Sequence, residues 1–372
     1  MEIKIKASNT ERVIRRIFGT IICCEEAVKT IEREKAGVRM VDVILDIDSV
    51  GDDILAVLYG ALHERINLLG ITTVNGACGS IEQAVNVALN TVELAGKNIP
   101  VYAGADKMLA PKASGVDGDP VNFDEEMRWK FGDRLDKFNE TAEKSGREAE
   151  EIHAVDYLIQ AFNERPGEIV LVTTGPVTNI ALALQKDPSI AGKIKEAYVL
   201  GGAFNIFGNI TPVTEYNIWA DPEAAKIVLN SDMKITLVPL DVCENNQFAD
   251  GMMTRDHLAE MKYEGKGAVV DYIADKFPIY IDIWREFFQL GGFPMDDVIT
   301  LALAADPELC EYTEEVFVDV ELEGEIARGQ TVAYFGKQIV RNPKKEHKNT
   351  RIAKSIDGKK FMNLFVKTII GQ

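Results

Sequence analysis

The sequence predicts an α/β protein with a mostly parallel open sheet flanked by helices. Three observations predict it. Short apolar runs rich in Val, Ile and Leu recur along the chain, as buried strands require. They alternate with stretches of helical periodicity, the pattern of crossover units and a parallel sheet. Polar turns rich in Asp, Asn and Gly follow several of the apolar runs. In such sheets ligands bind outside the carboxyl ends of the strands.

Taken in order, residues 41–46 read as a buried strand, 53–61 as a helix, 68–73 as a strand, 80–95 as a helix and 101–103 as a short strand. Residues 111–150 are polar and charged, with Gly, Pro and Asp early on, and are expected to form a long loop or lid. A helix over 153–164, a strand over 169–173, a helix over 178–185 and strands over 197–200 and 235–239 follow. Residues 243–295 read as mainly helical, 316–323 and 331–335 as a late β pair, and 359–370 as a final helix. The basic stretch 341–351 reads as a solvated loop. Ahead of the first strand, residues 1–38 carry two helix-like stretches without chemistry, an N-terminal helical extension to a domain spanning 39–372.

The 372 residues are enough to bury a sizeable core, and 46% hydrophobic with 27% charged residues is ordinary for a globular chain. A net charge of -18 argues against a nucleic-acid partner, because phosphate binding needs a basic face. No apolar run approaches the ~20 residues of a membrane span. The run after Arg15 and Arg16 is too short for a signal peptide, and Glu25 and Glu26 follow it. The five Cys have no disulfide or zinc spacing. Reduced thiols in a cytoplasmic protein are the expectation.

The chemistry concentrates after the first strand, in Asp46-Ile47-Asp48-Ser49-Val50-Gly51-Asp52-Asp53. Four carboxylates in eight residues repel one another unless a cation or solvent relieves them. An oxygen-only donor set suits Ca²⁺ or Mg²⁺. An N-capping Asp cluster is the alternative. The first five of these residues also resemble the opening motif of haloacid-dehalogenase-type phosphatases, in which Asp46 would be a nucleophile.

Three later segments choose between these readings. They are Leu171-Val172-Thr173-Thr174-Gly175-Pro176-Val177-Thr178-Asn179, the loop from Asn205 through Asn209, Glu215 and Asn217 to Asp221, and Phe293-Pro294-Met295-Asp296-Asp297. With the first motif they resemble the nucleoside hydrolase family, over residues 41–372. Supporting matches include Gly70-Ile71-Thr72-Thr73-Val74, Val101-Tyr102-Ala103-Gly104-Ala105 and Leu200-Gly201-Gly202. The resemblance implies a Rossmann-like core, a Ca²⁺ cofactor, a small-molecule ribonucleoside substrate and a homodimer or homotetramer. It implies hydrolysis of the N-glycosidic bond to free base and ribose, through calcium-bound water activated by Asp48. By the same resemblance Asp48, Asp53, the Thr174 carbonyl and Asp297 hold the metal. Asp52 and Asn217 hold ribose hydroxyls, and Asn209 and Glu215 reach the 5′-hydroxyl end. A nucleoside-binding protein that has lost turnover is the competing expectation. His153 is expected to start a helix, and Tyr280 and Phe287 lie in a stretch that often borders the base pocket.

The sequence departs from the family at four places. Ser49-Val50 stands where Pro-Gly is usual, with Gly51 the residue that could restore turn freedom. Ala77 ends a turn where relatives commonly place a ribose-contacting Asn, and Asn75 is the possible substitute. Asp296 stands where inosine-uridine-preferring members often carry a His as general acid. The 113–122 segment lacks the usual His-Gly and Asp-Gly-Leu-Gly pattern. The metal half is therefore intact and the base-facing half altered, which predicts hydrolysis without the usual inosine-uridine preference.

Overall fold

The computed structural model describes residues 40–109, 130–132, 144–335 and 348–371. The expected N-terminal helical extension, and the parts of the 111–150 loop at 111–129 and 133–143, lie outside the described residues. The first half of the described chain alternates strand and helix: β1 (Val41–Ile47), α1 (Asp52–Leu62), β2 (Ile66–Thr73), α2 (Ile81–Leu94), β3 (Val101–Ala103), α3 (Ala154–Glu164), β4 (Val170–Thr173), α4 (Thr178–Lys186) and β5 (Glu196–Leu200). Short helices α5 (Tyr216–Ala220) and α6 (Pro222–Leu229) lead to β6 (Ile235–Val238) and α7 (Leu240–Cys243). Helices α8 (Arg255–Glu264), α9 (Ala268–Phe287) and α10 (Asp296–Ala305) follow. The chain closes with β7 (Cys310–Tyr312), β8 (Val318–Val320), β9 (Thr331–Ala333), β10 (Thr350–Ile356) and α11 (Gly358–Ile370).

Eight strands form one sheet in the order β3-β2-β1-β4-β5-β6-β10-β7. All neighbours are parallel except β10 and β7. The expected fold class is therefore the observed one. The late β pair exists as the antiparallel ribbon β8–β9. No helix among the described residues is long and apolar enough to cross a membrane.

Strand alternation explains the two cores. Val43, Leu45 and Ile47 of β1 pack into one buried cluster, while Ile44 points into the other. Both faces are covered, so the strands read as continuous apolar runs. From β1 the sheet grows in opposite directions, through β2 and β3 on one side and β4 and β5 on the other. The crevice where the strand order reverses opens at the carboxyl ends of β1 and β4. It places the Asp46–Asp53 turn beside Thr174.

One expectation is corrected. The 341–351 stretch is not a solvated loop at its end, because Thr350 and Arg351 open β10 between β6 and β7. Thr350 and Ile352 are buried, and the Arg351 guanidinium bonds Glu196 Oε1 at 2.7 Å and Thr236 Oγ1 at 2.6 Å. The charge is neutralised within the sheet rather than by water. Strand β7 was not expected either.

Candidate active site

The turn after β1 is built from a left-handed residue, a glycine and buried carboxylates. Ser49 has φ 64° and Gly51 φ 43°. A proline, whose ring fixes φ near -65°, cannot stand at Ser49 in this backbone. Left-handed backbone is thus taken by both Ser49 and Gly51. The Gly51 N–H donates to the Tyr280 hydroxyl, and a side chain at Gly51 would meet the Tyr280 ring at 3.3 Å.

Asp46 and Asp48 have different fates. Asp46 lies on the strand face of Ile44 and is fully buried. Its Oδ1 accepts from Thr72 Oγ1 at 2.5 Å and Asn179 Nδ2 at 2.7 Å. Burial pushes its pKa up to about 7. This is an internal strut rather than an open nucleophile. Asp48 lies past the strand end. Its Oδ2 accepts the Ala77 N–H at 2.9 Å, and its carboxyl is hydrogen-bonded to that of Asp53. Asp53 in turn accepts the Val50 N–H at 3.1 Å and the Thr174 hydroxyl at 2.6 Å. Asp52 Oδ2 accepts the Asp297 N–H at 3.0 Å, joining α1 to the start of α10. Burial, then the charges of Asp52, Asp53 and Asp48, raises Asp297 well above the usual carboxylate range. Burial raises Asp48 well above that range too, with the Asp53 charge adding to it. Asp52 is pushed to about 7 by burial.

The 74–77 turn closes over Asp48. A Cβ at Gly76 would fall 2.1 Å from Asp48 Oδ2, so only glycine allows the approach. Ala77 serves through its backbone. Asn75 is tied to the next strand's exit: its N–H donates to the Ala105 carbonyl and its Nδ2 to the Asp106 carbonyl, each at 2.8 Å. Its Oδ1 is buried without a hydrogen-bond partner among the described residues.

The loop after β5 brings Asn209, Glu215 and Asn217 to the same end of the sheet. Gly208 permits its fold, since a Cβ there would lie 2.0 Å from the Thr214 carbonyl. Asp241 fixes the loop's start by accepting the N–H groups of Phe204 and Asn205 at 2.9 and 2.8 Å. Glu215 caps α5 by accepting from Asn217, Ile218 and Gly202 N–H at 2.7, 3.0 and 3.2 Å. Three of its roughly four acceptor sites are thus filled. Burial still pushes its pKa to about 7. Asn217 Nδ2 donates to the Thr174 carbonyl at 2.8 Å, fixing the amide and that carbonyl together. Asn209 Nδ2 donates to Glu244 Oε1 at 3.0 Å, and its Oδ1 accepts the Tyr216 N–H at 2.9 Å.

Asp296 is buried and hydrogen-bonded to Glu244. Its Oδ1 has no partner among the described residues. Burial, then the Glu244 charge, raises it well above the carboxylate range. Beside Gly51 of the 46–53 turn stand Tyr280 and Phe293, with centroids 5.1 Å apart, and Phe277 and Trp284 pack against both rings. Phe287 pairs with Phe131 at 6.3 Å. His153 caps α3 by accepting the Val155 N–H at 3.2 Å, a structural role as expected.

Sequence reasoning missed Asn179, Asp241, Glu244 and the Thr174 hydroxyl. Each acts through a partner more than 30 residues away, so no local spacing announces it. Asn179 joins β1, β2 and β3: besides Asp46 it donates to the Thr73 carbonyl at 2.9 Å and accepts the Ala105 N–H at 2.8 Å. Among the described residues no three His, Cys, Asp or Glu side chains already close on a single point as an ion cage. The carboxylates hold one another and nearby N–H groups instead.

The sequence matches the family described as inosine-uridine preferring nucleoside hydrolase over residues 43–363. A pyrimidine-specific ribonucleoside hydrolase, RihB of Escherichia coli, is 31% identical over 342 residues, covering 88% of this chain and 97% of that protein. A plant nucleoside hydrolase, PpNRh1, superimposes with a TM-score of 0.75 at 27% identity, over 89% of this chain and 99% of the other. A purine-preferring ribonucleoside hydrolase from Gardnerella vaginalis superimposes with a TM-score of 0.76 at 29% identity, over 89% and 98%. The chain belongs to the nucleoside hydrolase family and is a hydrolase of N-glycosyl compounds. That membership decides against the phosphatase reading of the first motif.

Proposed function

We propose that the chain hydrolyses the N-glycosidic bond of a ribonucleoside at the crevice between β1 and β4, with Asp48 as general base and Ca²⁺ as cofactor. One observation carries the reading. Asp48, Asp52, Asp53 and Asp297 come from two distant segments yet meet in one cluster: Asp52 accepts the Asp297 N–H at 3.0 Å, and Asp53, hydrogen-bonded to Asp48, accepts the Thr174 hydroxyl at 2.6 Å, with the Thr174 carbonyl and Asn217 beside them.

The donor set fits a hard divalent cation. It offers oxygens alone, and the mutual repulsion of its carboxylates is what a cation offsets. Asp48, Asp53, Asp297 and the Thr174 carbonyl would hold the ion. When bound, Ca²⁺ supplies orientation of ribose hydroxyls and a lowered pKa for water. Asp48 takes the proton from the attacking water, with Oδ2 steadied by the Ala77 N–H. Asn217, whose Nδ2 is committed to Thr174, offers Oδ1 to a sugar hydroxyl, and Asp52 takes another. The bond breaks through an oxocarbenium-like sugar, and the surrounding carboxylates stabilise its positive charge. Asn209 and Glu215 lie toward the 5′-hydroxyl end.

On the base side Asp296 replaces the usual His, and Asn75 is turned toward Ala105 and Asp106. The names of the relatives point both ways, one pyrimidine-specific and one purine-preferring. We assign this chain a preference other than inosine-uridine, with a purine or modified ribonucleoside as substrate. The family resemblance supports a cytoplasmic homodimer or homotetramer, which light scattering checks.

The test is a panel of ribonucleosides with detection of free ribose, using chelator-stripped protein with and without added Ca²⁺. Ribose release that needs Ca²⁺ and vanishes in Asp48→Ala is the expected result. No release from any nucleoside overturns the proposal.

A further inference from the structure

Glu244 closes α7 and reaches two segments that are far away in sequence. Its Oε1 accepts from Asn209 Nδ2 at 3.0 Å, and its carboxyl is hydrogen-bonded to Asp296. At the other end of the Asn209 amide, Oδ1 accepts the Tyr216 N–H at 2.9 Å. The two bonds agree on one orientation, because an N–H must meet the amide oxygen and a carboxylate must meet its nitrogen. The amide therefore cannot flip while Glu244 is in place. Asn209 keeps a single N–H to donate. Next to it Asp296, itself buried, holds Oδ1 without a partner among the described residues.

A spare donor and a spare acceptor held on one carboxylate suit a hydroxyl, which can accept from one and donate to the other. We propose that Glu244 is a positioning residue for the primary hydroxyl of the sugar, setting Asn209 as its donor and Asp296 as its acceptor. The inference rests on the ribonucleoside reading given above, since that reading puts Asn209 at the 5′ end. It assigns Glu244 a role in recognising a free 5′-hydroxyl. A 5′-deoxy sugar leaves both groups unmatched, which is costly in a buried site.

The experiment compares a ribonucleoside with its 5′-deoxy counterpart. Kd is measured by calorimetry and kcat/KM by ribose release, both with Ca²⁺ supplied. Wild type is expected to favour the hydroxylated compound by about tenfold or more. In Glu244→Ala the ratio should collapse to within about twofold, through weaker binding of the hydroxylated compound alone. Glu244→Gln should keep most of the ratio, because its amide oxygen still accepts from Asn209. If Glu244→Ala does not fold, Glu244→Asp, too short to span both partners, gives the same reading. Equal losses for both compounds, or a wild-type ratio near one, overturn the proposal. If wild type binds the pair with the expected ratio but releases no ribose, the hydrolysis reading falls and the Glu244 assignment stands.

Discussion

The Thr174 hydroxyl donates to Asp53 Oδ1 at 2.6 Å across 121 residues of sequence. The same residue's carbonyl accepts Asn217 Nδ2. One threonine at the end of β4 thus orients a carboxylate of α1 with its side chain and the Asn217 amide of α5 with its backbone. Thr174→Val removes only the first function. Loss of such a supporting bond lowers metal affinity by about 10- to 100-fold, so calcium titration of Thr174→Val should show a drop in that range. Thr174→Ser should bind as wild type does. Unchanged affinity in the valine variant would sink the assignment of Asp53 as a ligand.

The 74–77 turn supports opposite outcomes at adjacent residues. In Gly76→Ala the new methyl would meet Asp48 Oδ2 at 2.1 Å and Asp48 Cβ at 2.7 Å, which pushes the proposed base out of place. A displacement of this kind costs about 10²-fold in kcat. Ala77→Asn keeps the backbone bond to Asp48 and adds a side-chain partner for the sugar, worth about tenfold in KM. Steady-state kinetics of the two variants check both. A Gly76→Ala enzyme with wild-type kcat would show that Asp48 is not the base.

Glu215 gives a pH signature. Burial raises its pKa from 4.5 to about 7 in the folded chain, against the pull of its three N–H partners. The folded state therefore binds the proton more tightly than the unfolded state. The stability linked to this proton is fully present below about pH 4.5 and is lost as pH rises through about 7. It amounts to about 3 kcal/mol at most. Glu215→Gln removes the titration. The wild-type minus Glu215→Gln difference in Tm should fall between pH 5 and pH 8 in metal-free protein. A difference independent of pH would show that Glu215 stays ionised throughout.

Much of the candidate site was legible because its residues are local in sequence. Asp48, Asp52 and Asp53 lie in one turn, and strand periodicity places that turn at the end of β1. The Asn209–Asn217 loop and Asp297 could be named by family resemblance, and the structure brings them to the same end of the sheet. What was hidden depends on distant partners. Glu244 reads as an ordinary residue after a short helix until Asn209 and Asp296 meet it. Asn179 reads as a helix-start residue until it is seen spanning three strands. Strand β10 was hidden because its charges look solvated in sequence, while its partners Glu196 and Thr236 lie more than 100 residues earlier.

Arg351 tests that last point. Its guanidinium donates to Glu196 Oε1, Thr236 Oγ1 and, at 3.3 Å, the Tyr198 hydroxyl. It also lies 4.2 Å from the centroid of the Tyr312 ring. It therefore ties β10 to β5 and β6 on one side and to β7 on the other. The side chain is only about 25% exposed, so removing it leaves Glu196 poorly solvated and without its planar partner. Arg351→Ala should cost about 2–4 kcal/mol, near the range for breaking a buried pair. Arg351→Lys should recover little, since an ammonium cannot reproduce the fork or the stacking. None of these contacts involves the proposed site residues, so kcat/KM should stay within about twofold at temperatures where the variant is folded. Chemical denaturation beside kinetics separates the two effects. A stable Arg351→Ala protein with impaired turnover would mean that β10 shapes the site rather than the sheet.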